Sequence, residues 1–241
     1  MTGPATTRST RQGVVWPWII AAATVVIVTV ALVLTFGVER PPGFDHLDPE
    51  EGAAPEAAVA WTRFAPDGPC LWVQRPDGSG EEVACGLPDG ELVGWDDSGL
   101  LLETYRGDRS LAVLDPDTGE VIERAPVEER SQPPAPLESV ITRRPSQGGE
   151  GGPETMRIES ARGDHALIAE IEAPGSYEVR SGAYAPDGGW VALFDNADRL
   201  LLVQVDDDGA GLDEPVVWAE DVEGAGRLVW EGTPYPGDED R

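Results

Sequence analysis

From residue 178 to residue 209 the chain repeats one phrase three times: a short apolar run, then a cluster of Asp, Asn, Pro or Gly. Val179 to Tyr184 leads into Ala185-Pro186-Asp187-Gly188, Trp190 to Phe194 into Asp195-Asn196-Ala197-Asp198, and Leu200 to Val205 into Asp206-Asp207-Asp208-Gly209. Runs of five or six residues are too short for a stable helix, and their aliphatic and aromatic content suits a pleated strand. Pro presets the backbone of a turn, and Gly accepts the positive dihedrals that many turns need. The stretch therefore predicts an antiparallel meander, and 29 Gly and 22 Pro in 241 residues extend that expectation along the chain.

Similar units recur. One runs from Val59 to Cys85, a second from Leu92 to Arg124, the meander itself continues to Asp221, and a fragment follows from Gly226 to Pro234. Each opens on an aromatic at the end of an apolar run: Trp61, Trp95, Tyr184 and Trp230. Three continue into a Gly-containing turn, Pro66-Asp67-Gly68, Asp97-Ser98-Gly99 and Pro186-Asp187-Gly188. The gap between Trp95 and Tyr184 is about twice a repeat length of roughly 45 residues, which predicts one divergent unit between them. Leu137 to Thr142, Met156 to Ser160 and Ala166 to Ile171 supply its apolar runs, and His165 falls in a turn between two of them. Four short strands per repeat of 40 to 45 residues is the requirement of a propeller blade.

The residues 183–192, Ala-Tyr-Ala-Pro-Asp-Gly-Gly-Trp-Val-Ala, and 63–68, Arg-Phe-Ala-Pro-Asp-Gly, resemble TolB-type, WD-like β-propeller repeats. Leu111 to Arg124 likewise resembles the outer hairpin of such a blade. The resemblance covers residues 59 to 234 and implies an all-β propeller of about four to five blades serving as a scaffold for partners. It carries no catalytic residue across, because its motif residues make turns. Such propellers commonly have six or more blades. Either the ring closes small, with Leu228 to Trp230 completing the first blade, or the arc stays open and its edges need covering, or further blades are too divergent to read.

Outside the repeats, residues 14–38 hold 25 positions without a charge. As a helix they span roughly 37 Å, enough for a hydrocarbon core of about 30 Å. Trp16 and Trp18 lie at one edge, where indoles favour the interface. A cleaved signal peptide has a shorter apolar region with small residues just after it, whereas Ala21 to Ala23 fall inside this one. The run reads as an uncleaved anchor. Arg8 and Arg11 in residues 1–13 place that side in the cytoplasm. Residues 39–58, rich in Pro, Ala and acid, read as an extended tether, with a helix start at Asp48-Pro49-Glu50-Glu51. Residues 59–241 are then the extracytoplasmic domain.

Charge narrows the partners. All 17 basic residues are Arg, and from Glu39 onward 15 of them face 45 acids, a formal charge of −30. Such a domain repels nucleic acid and anionic lipid, which leaves a protein or an envelope polymer as the expected partner. Cys70 and Cys85 are the two cysteines, centred on Asp77-Gly78. A hairpin turning there sets the sulfurs opposite each other, and outside the cell they should form a structural disulfide.

No sequence motif for catalysis accompanies this. There is no Gly-x-Ser-x-Gly elbow, zinc-binding His pair, phosphate loop or dinucleotide fingerprint. Without lysine there is no Schiff base, and His46 and His165 stand apart from any ligand set. The reading is a non-enzyme without cofactor or metal. Paired carboxylates of a glycoside hydrolase are the catalytic alternative, and a structural subunit of a membrane complex is the other. Asp115 to Glu120 and Asp206 to Gly209 bring carboxylates together as calcium sites do, but neither fits the twelve-residue calcium loop. Both suit tight hairpins.

Overall fold

A computed structural model describes residues 41–48, 54–104, 110–126, 140–143, 154–161, 165–222 and 226–233. The expected anchor at 14–38 lies outside these residues. Among the described residues no helix is long and apolar enough to cross a membrane.

The described chain is all-β. Fifteen strands follow in order: β1 Val59–Ala65, β2 Gly68–Gln74, β3 Gly80–Cys85, β4 Gly90–Asp96, β5 Gly99–Thr104, β6 Ser110–Leu114, β7 Val121–Pro126, β8 Val140–Arg143, β9 Glu154–Ser160, β10 Leu167–Ala173, β11 Val179–Tyr184, β12 Trp190–Asp195, β13 Leu200–Gln204, β14 Val216–Ala219 and β15 Val229–Trp230. They form four antiparallel sheets. Sheet I has the order β15-β1-β2-β3, sheet II β4-β5-β6-β7, sheet III β8-β9-β10 and sheet IV β11-β12-β13-β14. Within each sheet chain neighbours are spatial neighbours, as hairpin connections dictate. The exception is β15, which returns from the far end of the domain to pair with β1 through Val59–Trp230 and Ala60–Val229.

Three cores join the sheets in series. Ala60, Leu71 and Val73 of sheet I meet Leu92, Leu100 and Leu102 of sheet II. Val59, Trp61 and Trp230 of sheet I meet Ala192, Phe194, Leu200 and Leu202 of sheet IV. Met156, Ile158 and Ile171 of sheet III meet Val191, Leu193, Leu201 and Val203 of sheet IV. Successive residues of β1, β12 and β13 thus enter different cores, because side chains alternate across a strand. A sheet buried on both faces needs an unbroken apolar run rather than an alternating one. That accounts for Trp190–Val191–Ala192–Leu193–Phe194 and Leu200–Leu201–Leu202–Val203, every one buried.

The divergent unit expected between Trp95 and Tyr184 is sheet III, which has three strands among the described residues. His165 is a turn residue with φ 55°, its Nδ1 3.0 Å from the carbonyl of Ser160. The equivalence among the opening aromatics needs correcting. Trp95 and Tyr184 lie on β4 and β11, the first strands of their sheets, and Trp230 on β15 holds the same place in sheet I. Trp61 lies one strand further in, on β1, so the Pro66-Asp67-Gly68 turn joins the second and third strands of its sheet. Pro186-Asp187-Gly188 joins the first and second. A Pro-Asp-Gly turn encodes a tight hairpin and nothing about which pair of strands it joins.

Residues 41–48, part of the expected tether, dock against sheet IV. The N–H of Leu47 donates to Val217 O and the N–H of Val217 to Asp45 O, both at 2.8 Å, which caps the outer edge of β14 with a parallel bridge. Arg199 donates from Nη1 to Pro42 O at 2.8 Å, and its guanidinium sits 5.0 Å from the centre of the Phe44 ring. An edge strand left bare exposes unpaired backbone groups, and this strap occupies those of Val217. Of the helix start at Asp48–Glu51, residues 49–51 fall outside the described residues.

Candidate functional site

The hairpin that carries the disulfide is built from its turn outward. Arg75 N–H donates to Ser79 O at 2.8 Å and Gly78 N–H to Arg75 O at 3.0 Å. Gly78 takes φ 83°, a conformation that other residues adopt at a cost. Asp77 accepts from both the N–H and the hydroxyl of Ser79, and these bonds, the hydroxyl's first, hold its carboxyl below the usual carboxylate range. β2 and β3 then run back in register until Cys70 faces Cys85, and the two are joined in a disulfide. The bridge expected from the midpoint at Asp77-Gly78 is present.

Its loop of 15 residues stabilises the fold by about 3 kcal/mol in the chain-entropy account. The double replacement Cys70→Ala and Cys85→Ala is therefore expected to lower the urea midpoint of oxidised protein by an equivalent amount. Reductant should do the same to the parent protein and nothing to the variant.

Directly behind this bridge lies a cleft of about 630 Å³. One wall is the β1–β2 turn, from Phe64 to Pro69; the other is the Leu87–Asp89 link with Thr104 at the end of β5 and Ser110 at the start of β6. The walls are held together beside the disulfide. Leu87 N–H donates to Pro69 O at 3.0 Å. Gly68, at φ 117°, lies so close to Gly86 that an added Cβ would come within 3.2 Å of its Cα. Leu87 and Pro69 are buried, whereas the Phe64 side chain at the lip is 75 % exposed. Thr104 Oγ1 donates to Ser110 O at 3.1 Å and lies 2.8 Å from Ser110 Oγ. Asp67 and Asp89 are the charged residues among the described lining.

Of the other motif residues, Trp61, Trp95 and Trp230 are buried in the cores, and Tyr184 packs against the sheet III–IV core. Pro186, Asp187 and Gly188 form an exposed turn in which Asp187 accepts from Gly189 N–H at 3.0 Å. The two acidic clusters are turns as well. Asp115 Oδ1 accepts from the N–H groups of Asp117 and Thr118, both at 2.9 Å, and these bonds hold its carboxyl below the usual carboxylate range. Asp206 Oδ1 accepts from Asp208 and Ala210. The one metal-like trio among the described residues is Cys70, Glu82 and Cys85, whose sulfurs are bonded to each other.

One buried polar group has no distinguishing motif in the sequence. Asp195, which opens the polar cluster after Phe194, is 1 % exposed. Its Oδ1 accepts from Ala197 N–H and Arg199 N–H, and its Oδ2 from Arg199 Nε at 2.8 Å and the Tyr177 hydroxyl at 3.0 Å. Asp at the end of a strand looks the same in sequence whether its carboxylate faces solvent or core. The Asp195–Arg199 spacing of four was the available signal.

Burial first, then the Asp195 charge, pushes the Tyr177 phenol well above its ordinary range. A group whose folded value is raised contributes stability that is complete below its unfolded value, about 10 for tyrosine, and is lost as pH climbs beyond it. Alkaline titration followed at 295 nm should show one late-ionising phenol, absent from Tyr177→Phe. Stability of the parent should fall more steeply above pH 10 than that of the variant.

No family model and no curated protein matches this chain. Among solved structures it is similar to one described as "Crystal structure of the eukaryotic initiation factor", at 14 % identity and a TM-score of 0.19. The match covers 71 % of this chain and 44 % of that one, so the chain spans less than half its length. A likeness of this size supports no statement about fold or activity.

Proposed function

We propose that residues 59–241 form a small β-propeller of the TolB-like, WD-like kind, anchored in the cell membrane by residues 14–38, with residues 1–13 in the cytoplasm. It acts outside the cytoplasm as a binding scaffold at the bacterial envelope. The observation that carries this reading is the return of β15 to sheet I. That strand also touches β4 and β11, and β11 touches β8, so the first strands of the four sheets lie together on one side. Radially stacked blades whose last strand closes the first sheet need this arrangement. The rigid sheets hold turns at their ends, where binding residues are free to vary. The absence of a motif for chemistry favours binding over the carboxylate hydrolase.

Photoreactive side chains placed in exposed turns of the full chain, in intact cells, test the function. Cross-links to an envelope protein or polymer are expected, and they should weaken when the fold is destabilised by Trp230→Ala. Cross-linking no greater than that of an unrelated exported domain overturns the scaffold reading. Light scattering on residues 39–241 separates it from the obligate subunit: a stable monomer argues for the scaffold.

A further inference from the structure

We infer that the Cys70–Cys85 bridge is a site of thiol–disulfide exchange, entered at the Cys85 sulfur and selective for small aminothiols. The two halves of the bridge differ in access: Cys85 is exposed, whereas Cys70 is 1 % exposed. A thiolate attacks a disulfide at the sulfur it can reach, and the other sulfur leaves. The incoming thiolate therefore bonds to Cys85 Sγ as the S–S bond breaks. The electron pair of that bond leaves on Cys70 Sγ, which takes a proton from water. A second thiolate then attacks the reagent's sulfur in the mixed disulfide, releasing Cys85 as a thiolate and the reagent as its symmetrical disulfide. Two electrons pass in all from two reagent thiols to the bridge.

The fold keeps this opening local. The strands stay paired from Leu71–Ala84 to Gln74–Gly80, and beyond the bridge Leu87 N–H donates to Pro69 O at 3.0 Å. Backbone bonds thus flank the bridge on both sides and keep the two cysteines opposite each other after it opens. Gly68 O lies 4.0 Å from Cys70 Sγ, an acceptor within reach of the freed thiol as a weak donor. Closure needs no search for the partner sulfur, so the bridge opens and closes reversibly. Charge selects the reagent. The Glu82 carboxylate and both sulfurs lie within 4.8 Å of one another. The formal charge of −30 from Glu39 onward has the same sign. Such a field concentrates a cationic reagent at the sulfur and keeps an anionic one away.

The test treats the full chain in non-ionic detergent with cysteamine or with mercaptoethanesulfonate at equal thiolate concentration. Acid and N-ethylmaleimide stop the reaction. Digestion after Glu81 and Glu82 separates the two cysteines, so mass spectrometry reads which carries the reagent and which the maleimide. In folded protein the mixed disulfide is expected on Cys85 at least roughly tenfold over Cys70, since access chooses the sulfur. Cysteamine should open the bridge about five- to tenfold faster than the sulfonate, after correction by the same two reagents on a neutral peptide disulfide. Salt at roughly 1 M should remove most of that difference. Glu82→Gln should narrow it about threefold, whereas Asp206→Asn, at a distant turn, should change it by less than about twofold. Circular dichroism checks that each variant is folded. Replacing the thiol by its symmetrical disulfide should re-form the bridge.

Opening that occurs only in urea, at the rate of global unfolding, overturns the exchange site altogether. Reagent found mainly on Cys70, or equally on both cysteines, overturns entry at Cys85. Equal corrected rates for the two reagents overturn the selection for aminothiols, as does a difference that Glu82→Gln leaves unchanged in folded protein.

Discussion

Trp230→Ala is expected to destabilise the domain by about 3–5 kcal/mol from cavity formation alone. Trp230 is 0 % exposed, and its indole stacks on Trp218 with ring centres 5.8 Å apart. Its Nε1 donates to Ala183 O of β11 at 2.9 Å, tying sheet I to sheet IV. On either side of it the backbone holds more. β15 pairs with β1, Glu231 N–H donates to Ala58 O, and Trp95 N–H donates to Thr233 O at 2.7 Å. One short segment therefore binds three sheets.

A domain whose total stability is about 5–15 kcal/mol loses a large share of it at this one side chain. Urea unfolding followed by circular dichroism is the measurement. Leu212→Ala, at a side chain 56 % exposed, is the control and should cost less than about 0.5 kcal/mol. A Trp230→Ala midpoint close to that of the control would mean that β15 is an ornament and not a closure.

Asp195→Ala should destabilise by about 3–5 kcal/mol, because it leaves the Arg199 guanidinium buried without its counter-charge. The side chains of Asp195 and Arg199 are 0 % and 10 % exposed. The loss spreads beyond the pair: the Tyr177 hydroxyl and two backbone N–H groups lose an acceptor. Arg199→Met should cost a similar amount and also release the strap, since Arg199 holds both Pro42 and Phe44. Limited proteolysis should then cut within residues 41–48 before the domain itself is attacked. Replacing both, as Asp195→Leu with Arg199→Met, should recover part of the loss, because an apolar pair carries no desolvation penalty. A double variant worse than the sum of the two single ones would contradict this account.

The two predictions concern residues of opposite legibility. Trp230 could be picked out from its apolar run and its place after Gly226, and its strand could be suspected of completing the first sheet. Asp195 could not. Its neighbours Asn196, Ala197 and Asp198 read as an ordinary polar turn, and such turns normally face water. The decisive fact is that Tyr177, 18 residues earlier, and Pro42, 157 residues before Arg199, converge on one point. The tether shows the same limit. Its Pro and acid content forecasts an extended backbone, but composition is silent on which strand edge receives residues 41–48.

What the sequence determined by itself was local: strand lengths, the turns at Asp77-Gly78 and Pro186-Asp187-Gly188, and the pairing of Cys70 with Cys85. Each of these is fixed by dihedral preference and by alternation over a few neighbouring residues. Only the tertiary structure decided which strand sits where in its sheet, that Trp61 lies one strand away from the place of Trp95 and Tyr184, and that a cleft opens between Phe64 and Leu87. Those depend on contacts between residues far apart in the chain, and a backbone that turns on Pro-Asp-Gly carries no record of what it will turn towards.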